Sequence, residues 1–376
     1  MSATILPGDL AEAPPARVVE SAVAQSALQL VLIFGAARSG TTWLAKLLDS
    51  SPDVLYIHEP YLKGAGLTYH AAVQAIGRGD LDAVPDRDAI CSELIAQRRS
   101  YVRPPFFPKR YASSPLSSGP LSLAAFSWYL GKLTGLHRLP AGQVDGPIHL
   151  VIKEGLSRVS LPLASRLGAQ AIVLFRHPCA VVSSRLRGEH CGAMEKLDRR
   201  NLLKESESEC RELGFSPDAV LAMQDDEALA LDWLLTYLPV CNLAEDCPPE
   251  VHWLTYETLV ERSEQSLNQL FNACRLPLTR QSRDFLAQSS RANPTGLRAL
   301  LGRPARYFGV ERRVEEPAYH WREELPLNSI QRIMRIAEHF PLGRYWPEPE
   351  ERLSHDQTAL NDGHLTGRRN AHGGSR

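Results

Sequence analysis

The run Leu28-Gln-Leu-Val-Leu-Ile-Phe34 stops at Gly35, and a second glycine, Gly40, stands directly before Thr41-Thr42-Trp43-Leu44. A short, dense apolar run closed by a glycine reads as a strand buried on both faces. Residues Thr41–Ser50 then carry helical spacing. A strand that feeds a helix through a glycine-bounded turn leaves backbone N–H groups lining a concave nest. The helix dipole adds partial positive charge there, so such a turn attracts a phosphate. Gly35 and Gly40 permit the tight turn and a close approach of backbone to ligand. Thr41 and Thr42 add hydroxyl donors to their N–H groups.

Four more short apolar runs follow, at Val54–Ile57, Ile148–Lys153, Ala171–Phe175 and Val251–Tyr256. Segments with helical spacing come after most of them, at Leu161–Gly168, Ala180–Arg187 and Thr258–Cys274. Short apolar strands alternating with helices predict an α/β fold with a central, mainly parallel sheet flanked by helices in three layers. Two stretches break the alternation. Residues 61–147 hold helix-like pieces (Tyr69–Ile76, Leu121–Leu136) and a Pro- and Ser-rich loop around Pro104–Pro120, and residues 188–224 are highly charged. Insertions of this size on an α/β core read as lids or acceptor-binding elements, with plain surface decoration the alternative for the second. The expected organisation is a loose tail over 1–18, a single domain over 19–348 and a second loose tail over 349–376.

Composition removes several function classes. The 376 residues carry 42 Lys+Arg against 43 Asp+Glu, a formal charge of −1, which argues against a nucleic-acid or membrane-surface partner held by bulk charge. Seven cysteines, an odd number without a C-x-x-C pair, fit thiols in a reducing compartment and neither a disulfide framework nor a zinc site. The apolar core Leu28–Phe34 of the stretch 22–37 falls far short of the ~20 residues that span a bilayer. Asp9 and Glu12 lie where a signal peptide would carry basic residues. The expectation is a soluble, cytoplasmic protein without a membrane span.

The glycine spacing matches the nucleotide loop G-x-x-x-x-G-K followed by Ser or Thr, which makes the fold P-loop-type, but Thr41 occupies the place of the lysine. That lysine reaches the β- and γ-phosphates, so its absence disfavours ordinary ATP or GTP chemistry. The loop's cation is Arg38 instead. A second strand–turn–helix runs Ala171-Ile-Val-Leu-Phe-Arg176-His177-Pro178, with Pro178 at a helix start where its missing N–H costs nothing. Arg176 stands at a strand's carboxyl end, the edge where open α/β sheets bind ligands. Ser184 lies about two turns further on, and Arg and Ser together offer a fork and a hydroxyl to a phosphate.

With these two motifs the chain resembles the sulfotransferases that use 3′-phosphoadenosine 5′-phosphosulfate (PAPS). Their first motif is a basic residue, Ser or Thr, Gly-Thr, another Thr or Ser, and a Leu two residues on, here Arg38-Ser39-Gly40-Thr41-Thr42-Trp43-Leu44. The resemblance implies that this loop holds the 5′-phosphosulfate. It assigns Arg176 and Ser184, in the pattern R-x-P-x-x-x-x-x-S, to the 3′-phosphate. Leu254-Thr-Tyr256-Glu257-Thr-Leu259 resembles a further segment of the family and places Tyr256, like Trp43, beside the adenine; both equally suit core aromatics. Tyr319-His-Trp321-Arg322 looks like the family's Trp-basic segment, and Arg312-Arg313 upstream of it is the candidate basic loop over the 3′-phosphate.

Sulfuryl transfer needs a base for the acceptor's proton and cations for the leaving phosphate. Arg38 suits the second role. For the first, Glu59 follows the strand Val54–Ile57, and carbohydrate sulfotransferases carry a catalytic Glu in a comparable place. Lys153 matches a strand-end lysine that touches the sulfate in the cytosolic members, while Gly155 stands where those members place a histidine base. That departure favours a carboxylate, with Glu154 and His58 as competitors to Glu59. No metal is required. The resemblance implies a small-molecule or glycan acceptor with a hydroxyl or amine; the acceptor and the oligomeric state carry no signature. The rival readings are a small-molecule kinase using ATP and a non-catalytic nucleotide-binding protein of the same fold.

Overall fold

Along the first strand, β1 (Gln29–Phe34), Leu30, Leu32 and Phe34 enter one hydrophobic cluster while Val31 and Ile33 enter another. Side chains alternate across a strand, so a strand apolar at every position must be covered on both faces. The computed structural model describes residues 28–61, 67–103, 105–111, 134, 148–155, 158–244, 251–261, 263–291 and 318–340. It builds this double cover around five strands, adding β2 (Val54–His58), β3 (His149–Lys153), β4 (Gln170–Phe175) and β5 (Val251–Thr255). The sheet is wholly parallel, in the order β2-β3-β1-β4-β5. The registers His58↔Lys153 and Ile33↔Lys153 level the carboxyl ends of β2, β3 and β1, and Phe175↔Thr255 levels those of β4 and β5. The order reverses at β1, and the loop leaving β1 therefore lies at the switch point of the sheet.

In chain order the helices are α1 (Thr41–Asp49), α2 (Leu67–Gly77), α3 (Arg87–Ala96), α4 (Ser160–Arg166), α5 (Pro178–His190), α6 (Arg199–Glu212), α7 (Pro217–Ala222), α8 (Asp225–Ala244), α9 (Tyr256–Glu261), α10 (Ser263–Ala273), α11 (Arg280–Arg291) and α12 (Leu327–Ala337). The apolar faces of α1, α9, α10 and α11 meet Val31 and Ile33 on one side of the sheet. The opposite cluster takes in side chains of α2 to α8 and α12. No helix among the described residues is long and apolar enough to cross a membrane.

The expected strand over Val251–Tyr256 ends at Thr255, and the expected helix Thr258–Cys274 is two helices, α9 and α10. The hydroxyl of Thr255 accepts the Thr258 N–H at 3.1 Å, a cap that closes the strand and opens α9 at Tyr256. The charged stretch 188–224 folds into α6 and α7, capped by Asp198 and Ser216, and it sends Leu202, Cys210 and Val220 into the core. Tyr69–Ile76 lies within α2, whereas nearly all of Leu121–Leu136 and both expected tails lie outside the described residues. Residues 105–111 are anchored by Lys109 to Asp49 at 2.8 Å and by the Tyr111 hydroxyl to the Val54 carbonyl at 3.1 Å.

Phe175, fully buried at the end of β4, packs against Tyr237, Trp253 and Phe340 with ring centroids 4.6, 5.4 and 5.7 Å away. It is the last rigid residue before Arg176. Replacing Phe175 by Ala is predicted to cost about 3–5 kcal/mol in urea unfolding. Leu221→Ala, at an exposed position, should stay within about 0.5 kcal/mol.

Candidate active site

The loop after β1 is a turn with two left-handed residues. Arg38 has φ 73° and Gly40 φ 98°, and the Ser39 N–H bonds to the Ala36 carbonyl at 3.1 Å. A Cβ on Gly40 would lie 2.5 Å from the Tyr256 ring, and one on Gly35 would lie 2.6 Å from the Ser39 hydroxyl and 2.8 Å from the Leu174 carbonyl. Both positions are therefore closed to any side chain. Ser39 is wholly buried in the curve of the loop, and Thr41 nearly so. Helix α1 starts with no side-chain cap and no acidic residue in its first turn. Its first N–H groups and the positive end of its dipole are left for a ligand.

Two aromatic side chains of α8, which the sequence reading missed, hold this loop. The Tyr237 hydroxyl accepts the Ala36 N–H at 3.0 Å and donates to the Leu174 carbonyl at 2.7 Å. One turn earlier, the Trp233 indole donates to the Arg176 carbonyl at 3.1 Å. The signal in the sequence was the i, i+4 pair of polar-tipped aromatics within the largely apolar run Ala228–Cys241, whose hydroxyl and N–H need partners once buried.

The second motif meets the first. Arg176, 6% exposed, donates to the Arg38 carbonyl at 2.8 Å, and Arg38 Nε donates to the Ser184 hydroxyl at 3.2 Å. The Arg176 guanidinium lies over the Tyr256 ring, 4.7 Å from its centre. Tyr256 thus fills the space between Gly40 and Arg176 and meets Trp43 edge-on at 5.9 Å. Trp43 is buried, with its indole N–H on the Ser289 hydroxyl at 3.3 Å. His177 caps α5 by accepting the Cys179 N–H at 3.2 Å, and Trp321 stacks on it at 4.5 Å. Burial, reinforced by the charges of Arg322 and Arg176, pulls the His177 pKa down to about 3, so its ring nitrogen remains a neutral acceptor. Arg312 and Arg313 lie outside the described residues.

On the other side of β1, the ends of β2 and β3 gather the candidate bases. Glu59 leaves β2 with φ 47°, its N–H on the Lys153 carbonyl at 2.8 Å. Its carboxylate pairs with the buried Lys153 ammonium through Oε1, and His58 Nε2 lies 3.3 Å from Oε2. Glu154 is anchored by its N–H to the Ile33 carbonyl at 3.0 Å, and Oε1 accepts the Tyr61 N–H at 2.8 Å. Burial raises the Glu154 pKa to about 7, opposed by the Tyr61 N–H and by Lys153. Of the three competitors, the Glu59 side chain is 21% exposed, whereas Glu154 and His58 are buried. Among the described residues no group of three or more His, Cys, Asp and Glu side chains is placed to hold a metal ion.

No known family model matches the sequence, and no curated protein does. Solved structures to which the chain is similar include the sulfotransferase domain from the curacin biosynthetic pathway (15% identity, TM-score 0.42, covering 83% of this chain and 97% of that one). The sulfotransferase domain of the Synechococcus PCC 7002 olefin synthase matches at 16% identity and TM-score 0.39, over 83% and 94%. Retinol dehydratase, solved with retinol and PAP, matches at 13% identity and TM-score 0.37, over 83% and 81%.

Two outcomes follow from this geometry. Gly40→Ala is predicted to destabilise the fold by more than ~1 kcal/mol, through positive φ and the ring clash, and the double change Gly40→Ala/Tyr256→Ala to cost less than the sum of the single ones. For Glu154 the fold favours the protonated form. Its contribution is fully present below pH 4.5 and is lost as pH rises through about 7. Urea titrations at successive pH values should show a decline of roughly 3 kcal/mol across that window that Glu154→Gln lacks.

Proposed function

We propose that the chain is a sulfotransferase that moves the sulfuryl group of PAPS to a hydroxyl or amine acceptor. The observation that carries the reading is the convergence of Arg38, Arg176 and Ser184 on the uncapped start of α1. The donor set suits such a ligand: backbone N–H groups, hydroxyls and two guanidiniums, with no carboxylate in the first turn of α1. Gly40, Thr41, Thr42 and Arg38 would hold the 5′-phosphosulfate, with Ser39 shaping the turn beneath them. Arg176 and Ser184 would hold the 3′-phosphate. Trp43 and Tyr256 would flank the adenine, and Arg312 and Arg313 would supply the basic loop over the 3′-phosphate.

When bound, PAPS supplies an activated sulfuryl group on a phosphate leaving group. Glu59 takes the acceptor's proton as the new bond to sulfur forms in line with the bond that breaks. Lys153 would hold the sulfuryl oxygens. Arg38 and the loop N–H groups take up the negative charge gathering on the departing phosphate. No metal ion is needed for this charge stabilisation, because fixed dipoles and guanidiniums provide it. The insertion 61–147 starts just beyond Glu59 and supports an acceptor site at that end, for a small molecule or a glycan.

Adenosine 3′,5′-bisphosphate should raise the melting temperature without magnesium. Stabilisation by ATP with magnesium, and none by the bisphosphate, would establish a kinase instead. Arg176→Ala should raise the bisphosphate Kd by about tenfold or more. Arg185→Ala, whose side chain pairs with Asp232 at 3.3 Å, should change that Kd by less than about threefold. Equal effects of the two substitutions would undo the assignment of the second motif.

A further inference from the structure

The base assigned above has a support that its role alone does not explain. Strand alternation puts Tyr56 and His58 on one face of β2. The Tyr56 hydroxyl is 2.6 Å from His58 Nδ1, and His58 Nε2 is 3.3 Å from Glu59 Oε2. Extended backbone would send the next side chain, Glu59, to the opposite face. Its φ of 47° turns it out of the strand's alternation and leaves its carboxylate beside the His58 ring. A left-handed conformation is strained for an ordinary residue, and such strain persists where the surroundings over-determine it.

The chain of contacts selects one imidazole tautomer. Tyr56 remains a phenol, because burial and the Asp49 and Glu59 carboxylates push its pKa well above the ordinary value. A phenol can donate to Nδ1 or accept from it; the Glu59 carboxylate oxygen 3.3 Å from Nε2 favours the tautomer with the ring proton on Nε2 and the Tyr56 O–H donating to Nδ1. The other tautomer would set the Nε2 lone pair against a carboxylate oxygen. His58 is 2% exposed, so bulk water is excluded from the partnership. Lys153 engages one oxygen of Glu59, and the buried His58 Nε2 stands 3.3 Å from the other, outside hydrogen-bond geometry but within reach of it by a small turn of the carboxylate.

We propose that His58, oriented by Tyr56, is a positioning residue that holds Glu59 in the attitude needed to take the acceptor's proton. This inference rests on the reading of Glu59 as the base. Without His58, the Lys153 ammonium is left holding one oxygen of the carboxylate, and the other oxygen loses its neighbour among the described residues. The step affected is proton removal, and cofactor affinity should be untouched.

The test measures release of adenosine 3′,5′-bisphosphate from PAPS with water as the acceptor, alongside the bisphosphate Kd and the nitrogen NMR shifts of the His58 ring. His58→Leu is expected to lower the rate by about tenfold or more with the Kd within about twofold. His58→Gln, whose amide N–H reaches the place of Nε2–H, should recover most of the rate. Tyr56→Phe should give an intermediate loss and abolish the fixed Nε2–H tautomer seen by NMR. A His58→Leu rate equal to the unaltered protein, with Glu59→Gln inactive, would overturn the positioning role and leave the base intact. Full turnover by Glu59→Gln would overturn both. If His58→Leu does not fold, the Gln and Tyr56→Phe variants decide between these outcomes.

Discussion

The hydrogen bond from the Arg176 guanidinium to the Arg38 carbonyl ties the ends of β1 and β4 into one site. It joins a buried side chain from one motif to the backbone of another 138 residues away in sequence. A buried guanidinium has few inexpensive partners, and here it finds a carbonyl on one side and the Tyr256 ring on the other. The parallel sheet makes this possible, because it delivers every carboxyl end to the same edge. The phosphate loop, Arg176, Tyr256, Lys153 and Glu59 are each the first residues beyond, or the last residue of, one of the five strands.

That edge is electrically divided. On the β4 and β5 side stand Arg38 and Arg176, and the nearby His177 is kept neutral by its burial and by the charges of Arg322 and Arg176. On the β2 and β3 side stand Glu59 and Glu154, with Lys153 between β1 and the first of them. A half carrying two guanidiniums and a half carrying two carboxylates therefore flank the same central strand.

The five strands were legible in the sequence because each is a short apolar run buried on two faces, a pattern that periodicity reports directly. The end of β5 was misplaced by one residue, since an apolar run says nothing of the Thr255 hydroxyl that caps α9. The two phosphate motifs were legible as separate strand–turn–helix units. Their sharing of one pocket was expected from the resemblance; the direct hydrogen bonds among Arg38, Arg176 and Ser184 were not, because spacing within a motif carries no information on contacts between motifs. Glu59 was visible as a strand-end carboxylate, but its Lys153 pairing depends on strand register, His58↔Lys153. Tyr237 and Trp233 were hidden for a simpler reason: in sequence they look like any aromatic pair on a buried helix.

Tyr237 gives the site a property that neither loop has alone. One phenol oxygen is the spacer between the first loop and the last turn of β4, since it receives from Ala36 and gives to Leu174. The gap between the two loops is accordingly an attribute of α8, a helix that lies outside both motifs. Recutting that helix would change the gap, whereas trimming the visible loops would leave their gauge unchanged.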